Sequence, residues 1–152
     1  MGTIDIVITT WQRCEITKKC IDSIIERTEV PIRIIVIDNG STDKTPELLF
    51  EYKKQNKIQT LVLLEKNIGL EPAKTLGLNF VKSSLFVSTD NDIIPQKSSP
   101  DWLSQLIHLM KKYPDYASIS CRPQVLVGSD EKMFDNVDEI AEFHAPGYLR
   151  LM

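Results

Sequence analysis

Asp90-Asn91-Asp92 is the segment of this sequence best equipped for chemistry. It directly follows the apolar run Leu85-Phe86-Val87-Ser88-Thr89, which reads as a buried strand. Two carboxylates one residue apart at a strand end can converge on one divalent cation. A hard cation such as Mg²⁺ or Mn²⁺ prefers oxygen ligands and usually takes one or two carboxylates plus substrate phosphates. Surface turns also favour Asp and Asn for backbone hydrogen bonding, so the triplet alone is a weak signal. Its position strengthens it, because ligands of open α/β sheets bind beyond the carboxyl ends of the strands. A second acidic loop, Asp38-Asn39-Gly40-Ser41-Thr42-Asp43, follows the apolar run Arg33-Ile34-Ile35-Val36-Ile37. Turn and helix-cap chemistry explains those residue types. It does not explain why two strands of one chain both end in acid. Parallel strands would open both loops onto the same edge.

The elements that must position these loops alternate along the chain. Strands are expected at residues 4–9, 33–38, 60–64, 85–89 and 116–121. The first helix spans 15–28, with Ile16, Cys20, Ile24 and Ile25 on one face. The second starts with Thr45 as N-cap and Pro46 at its first position. The third spans 72–81 with Ala73, Leu76, Gly77 and Phe80 inward, and a fourth opens at Ser99-Pro100 and turns Leu103, Leu106, Ile107 and Met110 to one side. Nearly continuous apolar strands imply helices on both sheet faces. With right-handed crossovers the expected fold is α/β, a doubly wound, mostly parallel sheet.

Composition excludes several classes. The chain has 152 residues, 42% hydrophobic and 26% charged, which suits one globular domain. A net charge of −3 without a basic stripe argues against nucleic acid as a partner. Cys14, Cys20 and Cys121 form no C-x-x-C pair, which fits a reducing compartment and opposes a disulfide framework or zinc site. No apolar run approaches the roughly 18 residues of a membrane span. The dinucleotide fingerprint is missing after the first strand, where Thr9-Thr10-Trp11-Gln12-Arg13 stands, and the P-loop and the hydrolase nucleophile elbow are missing too. Without a glycine-rich cradle, a bound phosphate would need a carboxylate-held metal.

Three blocks together resemble family 2 glycosyltransferases of the GT-A fold. They are Val36-Ile37-Asp38-Asn39-Gly40-Ser41-Thr42-Asp43-Lys44-Thr45, then Asn67-Ile68-Gly69 with Ala73-Lys74 and Gly77, then Thr89-Asp90-Asn91-Asp92 with Pro95 and Trp102-Leu103. Lys74 and Thr75 depart from the family's usual Arg and Asn; Lys meets a phosphate as a point charge without the guanidinium fork.

The resemblance implies a Rossmann-like nucleotide-sugar-binding core over residues 1–125 and the incomplete start of an acceptor-side region over 126–152. It implies inverting, metal-dependent transfer of a sugar from a nucleotide-diphosphate donor, UDP-linked by expectation, to a hydroxyl. The acceptor would be a saccharide or lipid-linked saccharide, in glycan synthesis. Position by position, Asp38 would accept from the base, Thr9 or Thr10 would border the base pocket, and Lys74 would face the pyrophosphate. Asp90 would lie near ribose and metal, and Asp92 would ligate Mn²⁺ or Mg²⁺ directly.

Competing readings stand beside these roles. Trp11 could stack on a base or pack against the first helix, Asp43 reads as a cap, and His108 as solvated. For the general base the candidates are Asp135, Asp138, Glu139 and Glu142, although a solvated acidic helix face accounts for that stretch as well. His144 is a weaker candidate ligand. The alternative function is a non-catalytic fragment that holds nucleotide and metal but lacks the base. The expected location is the cytoplasm, with peripheral contact at the cytosolic membrane face as an option. Val125-Leu126-Val127 and Tyr148-Leu149-Arg150-Leu151-Met152 suggest self-association into a homo-oligomer.

Overall fold

β-branched residues dominate the two longest strands, β1 (Ile4–Thr10) and β2 (Ile32–Asp38), and bury almost completely. A computed structural model describes residues 2–119 and adds, in chain order, α1 (Cys14–Glu26), α2 (Thr45–Lys54), β3 (Thr60–Leu63), α3 (Leu70–Leu78), β4 (Phe86–Asp90) and α4 (Trp102–Lys112). The sheet order is β3-β2-β1-β4, and every pairing is parallel. The chain steps outward from β1 to β3, then returns across the sheet to place β4 on the other side of β1. The order therefore reverses at β1, and the crevice at such a switch point, beyond the carboxyl ends of β1 and β4, is where α/β sheets bind ligands.

Strand alternation divides the core between two faces. Val7, Ile35 and Ile37 form one buried cluster with Ala73 of α3. Gly77 is required there, because a Cβ on it would lie 2.5 Å from the Val7 side chain. Ile6, Ile8, Ile34 and Val36 point to the opposite face, where α1 contributes buried Cys20, Ile21 and Ile24 and packs beside α2. Helices therefore cover both sheet faces, and the expected α/β class is the observed one. At the amino ends of the strands, Asp5 is buried and accepts both forks of Arg33 at 2.6 and 2.7 Å, with further bonds from the Lys82 and Ser83 amides. Burial alone would push its carboxyl up, but these donors outweigh burial and hold it down to about 2.

Several local expectations need correction. The strand before the acidic triplet is not buried: β4 lies at an edge of the described sheet, with Phe86 and Ser88 exposed. Residues 116–119 are irregular, with a single bend at Ala117, rather than the start of a strand, and 120–121 lie outside the described residues. The buried stripe of α1 is Thr17, Cys20, Ile21 and Ile24, which leaves Ile16 and Ile25 exposed. Phe80 follows the end of α3 and is exposed. Lys44, not Thr45, precedes α2, and the Asp43 carboxylate accepts from the Thr45 amide at 2.9 Å. Asp101 rather than Ser99 caps α4, whose buried residues are Leu103, Ile107 and Leu109, with His108 exposed. The chain comprises two units, Met1–Lys97 and Ser98–Met152. The expected boundary between 125 and 126 lies outside the described residues.

Candidate active site

Three loops at the carboxyl edge of the sheet are fastened to one another. In the loop after β1, Gln12 and Arg13 both adopt left-handed backbone, with φ of 59° and 63°. Such conformations in non-glycine residues cost on the order of 1–3 kcal/mol each and persist only where surroundings impose them. The surroundings here are explicit. The Gln12 amide donates to Ser41 Oγ at 2.7 Å, its side-chain carbonyl accepts from the Thr42 and Asp43 amides, and its own carbonyl accepts from Asn91 Nδ2. Asp43 also accepts from the Cys14 amide at 3.1 Å, so its one carboxylate caps the starts of both α1 and α2.

The loop after β2 is fastened in turn to the loop before α3. Asn39 Nδ2 donates to Asn67 Oδ1 and the Gly69 carbonyl, and its Oδ1 accepts from the Ile68 amide. Gly40, at φ 77°, lies so close that a Cβ would sit 2.4 Å from the Lys66 carbonyl carbon. Only glycine fits that approach and that backbone.

The acidic triplet is built differently. Its middle residue, Asn91, is buried and donates to Thr10 Oγ1 at 2.9 Å and Thr17 Oγ1 at 2.8 Å. Anchoring Asn91 on the α1 side leaves Asp90 and Asp92 half-exposed. Asp90 sits opposite Thr9 in the register, and its Oδ1 lies 3.1 Å from Lys74 Nζ of α3. Asp92 Oδ2 lies 3.4 Å from Arg13 Nη1. Each carboxylate is therefore paired with one basic side chain, and Asp90, Asp92 and Arg13 line a cleft of about 350 Å³. Trp11, Asn67 and Leu70 complete much of its wall, and the Trp11 side chain is exposed. A neighbouring hollow of about 450 Å³ shares Arg13 but is lined by Cys14, Glu15, Ile16, Asp43 and Lys44, and its Asp43 carboxylate is committed to the Cys14 and Thr45 amides. The smaller cleft is the chemically equipped one.

The expected site residues fall into three groups. Thr9, Thr10, Asp90 and Asp92 line the cleft, and Lys74 reaches it through Asp90. Thr10 spends its hydroxyl on Thr17 and Asn91, whereas buried Thr9 Oγ1 makes no hydrogen bond among the described residues. Asp38 lies behind the wall, 1% exposed, with Ser41 Oγ donating to one carboxylate oxygen and the Ser41 amide to the other. Burial pushes its carboxyl up, and the Ser41 bonds offset part of that rise. Asp135, Asp138, Glu139, Glu142 and His144 lie outside the described residues. Sequence reasoning assigned no role to Arg13, Asn91 or Asn67. No local signal marked Asn91, because β4 ends at Asp90 and Asn91 sits in the turn that follows, where strand alternation no longer applies.

Among the described residues no third His, Cys, Asp or Glu joins the pair to close a metal cage. The donor set, two half-exposed carboxylates, fits a cation that completes its shell with ligand phosphates.

The profile of the family described as Glycosyl transferase family 2 matches residues 5–148, and the chain belongs to that family. Glycosyltransferase GlyA of Streptococcus pneumoniae is 29% identical over 134 residues, which is 86% of this chain and 18% of GlyA. An uncharacterized glycosyltransferase of Haemophilus influenzae is 24% identical, over 82% of this chain and 38% of its own length. The chain thus spans well under half the length of these curated relatives. The Staphylococcus aureus TarS 1–349 structure in complex with UDP superposes with a TM-score of 0.61 at 18% identity, covering 74% of this chain and 33% of that one. These neighbours are GT-A glycosyltransferases, which makes the fold that of the GT-A class.

Proposed function

We propose that the cleft binds a nucleotide-diphosphate sugar, UDP-linked, with a divalent cation, for inverting transfer to a hydroxyl of a saccharide or lipid-linked saccharide. The observation that carries this reading is the pair Asp90 and Asp92 at the end of β4, each opposed by a basic side chain, in a chain without a glycine-rich phosphate cradle. Asp92 and Asp90 would hold Mn²⁺ or Mg²⁺. When bound, such a cation would supply Lewis-acid stabilisation of the departing diphosphate. Lys74 would turn from Asp90 to the phosphates as a point charge. Thr9, whose buried hydroxyl makes no hydrogen bond among the described residues, would border the base pocket, and exposed Trp11 offers an aromatic face for the base. Family membership and the fold shared with a UDP-bound neighbour support the donor class. Among the described residues no carboxylate besides this pair lines the cleft, so a base that deprotonates the acceptor must come from elsewhere. Titration calorimetry of UDP, GDP, dTDP and CDP in Mn²⁺ and in EDTA tests the reading. UDP should bind in Mn²⁺ and lose most of its affinity in EDTA; equal affinity in both buffers would sink the metal claim.

A further inference from the structure

The ion pair between Arg13 and Asp92 joins residues 79 positions apart, from two different loops, across the mouth of the cleft. Its geometry is loose: 3.4 Å, with side chains 59% and 48% exposed. A pair so solvated contributes little to folding. Yet the backbone that presents Arg13 is left-handed at two successive residues, and Gln12 is tied to Ser41, Thr42, Asp43 and Asn91 to keep it so. A strained, heavily fastened loop that delivers a weakly bound guanidinium to a carboxylate suits exchange rather than permanence. The Arg13 carbonyl is already committed to the start of α1, accepting from the Ile16 and Thr17 amides, so only the side chain is free to change partners.

We infer that Arg13 is a diphosphate-binding residue that pairs with Asp92 before donor binds and transfers to the donor's phosphates when a divalent cation takes its place. This rests on the reading of the cleft as a nucleotide-diphosphate site. Two consequences follow from electrostatics. Arg13 competes with the cation for Asp92, so it lowers the affinity for metal alone. It also supplies a planar, two-pronged donor set to an anion, which Lys74 cannot. Arg13 therefore couples metal and diphosphate: its unfavourable effect on the first becomes a favourable contact with the second.

The test uses the full 152-residue chain, wild type and Arg13→Gln, with Arg13→Lys as the conservative variant. Free Mn²⁺ is followed by electron paramagnetic resonance without nucleotide, and UDP and uridine binding by calorimetry in saturating Mn²⁺. The Gln variant should bind Mn²⁺ alone about threefold to tenfold more tightly and UDP about tenfold more weakly, with uridine unchanged. The Lys variant should restore the metal competition more fully than the UDP affinity. Unchanged Mn²⁺ and UDP affinities in Arg13→Gln, or equal losses for UDP and uridine, would overturn the assignment. Thermal melting guards against misfolding, since a loop collapse would lower the melting temperature and weaken uridine as well. Failure of the wild type to bind UDP in Mn²⁺ would remove the nucleotide-site reading itself, and this inference with it.

Discussion

Two parallel strands of this sheet end in acid, and the protein uses the two ends in opposite ways. After β2, Asp38 is 1% exposed, and its carboxylate is spent on Ser41 three residues ahead. Among the described residues no basic side chain forms an ion pair with it. After β4, Asp90 and Asp92 keep 45% and 48% of their side-chain surface and face Lys74 and Arg13. The loop after β2 is stapled on both sides, by Gln12 and by Asn67–Gly69, and its Asp38 carboxylate accepts from Ser41 within the turn. Among the described residues the loop after β4 is anchored through Asn91 and through the Cys20 thiol on the Asp90 carbonyl, and its two carboxylate side chains stay half-exposed. Identical chemistry at equivalent strand ends becomes buried and turn-bound or half-exposed and ion-paired according to what lies across from it.

Replacing one acid from each loop probes that contrast most directly. Asp92→Ala should cost about 2–4 kcal/mol of UDP affinity in Mn²⁺, because cation and diphosphate each lose a partner. Its melting temperature should stay near wild type, since the lost ion pair is solvated. Calorimetry beside thermal melting reads both, and a large fall in melting temperature would make the loop after β4 structural as well.

A buried carboxylate with a cationic partner marks the structural extreme. Asp5 is held down to about 2, from an ordinary 3.8, by Arg33 and two amides. A depressed folded value means stability present above about 4 and lost as pH falls towards 2, worth about 2 kcal/mol. Asp5→Asn should flatten that part of the acid limb in pH-dependent urea unfolding. Asp38 carries the opposite sign: burial raises it, so its cost to the fold is relieved as pH falls through its folded value.

The smallest effect should come from Asp38→Asn. The amide oxygen can still accept from Ser41, and a charge that burial disfavours disappears, so about 1 kcal/mol of stability is at stake. The preference for UDP over CDP should stay unchanged. A blurred preference in a competition assay would return Asp38 to the base-reading role that the family resemblance implies.

Much of this was legible in the sequence, for local reasons. Runs of β-branched residues make strands wherever they fall, so β1 and β2 could be placed within a residue or two. Glycines at Gly40, Gly69 and Gly77 marked turns and a close helix–sheet contact. What failed depended on neighbours. Phe80 and Ile25 carry an inward-looking pattern, but α3 ends at Leu78 and the core side of α1 is centred on Ile21, so both stay exposed.

The order of residues alone determined an α/β chain with acid at the ends of two parallel strands, because side-chain shape and periodicity act over a few positions. Only the tertiary structure decided which acid is buried and which stays half-exposed. That choice turns on Ser41 closing over Asp38, on Asn91 reaching Thr10 and Thr17, and on Arg13 crossing to Asp92. The last two join residues more than seventy positions apart, and left-handed backbone at Gln12 and Arg13 is imposed by tertiary bonds against local preference.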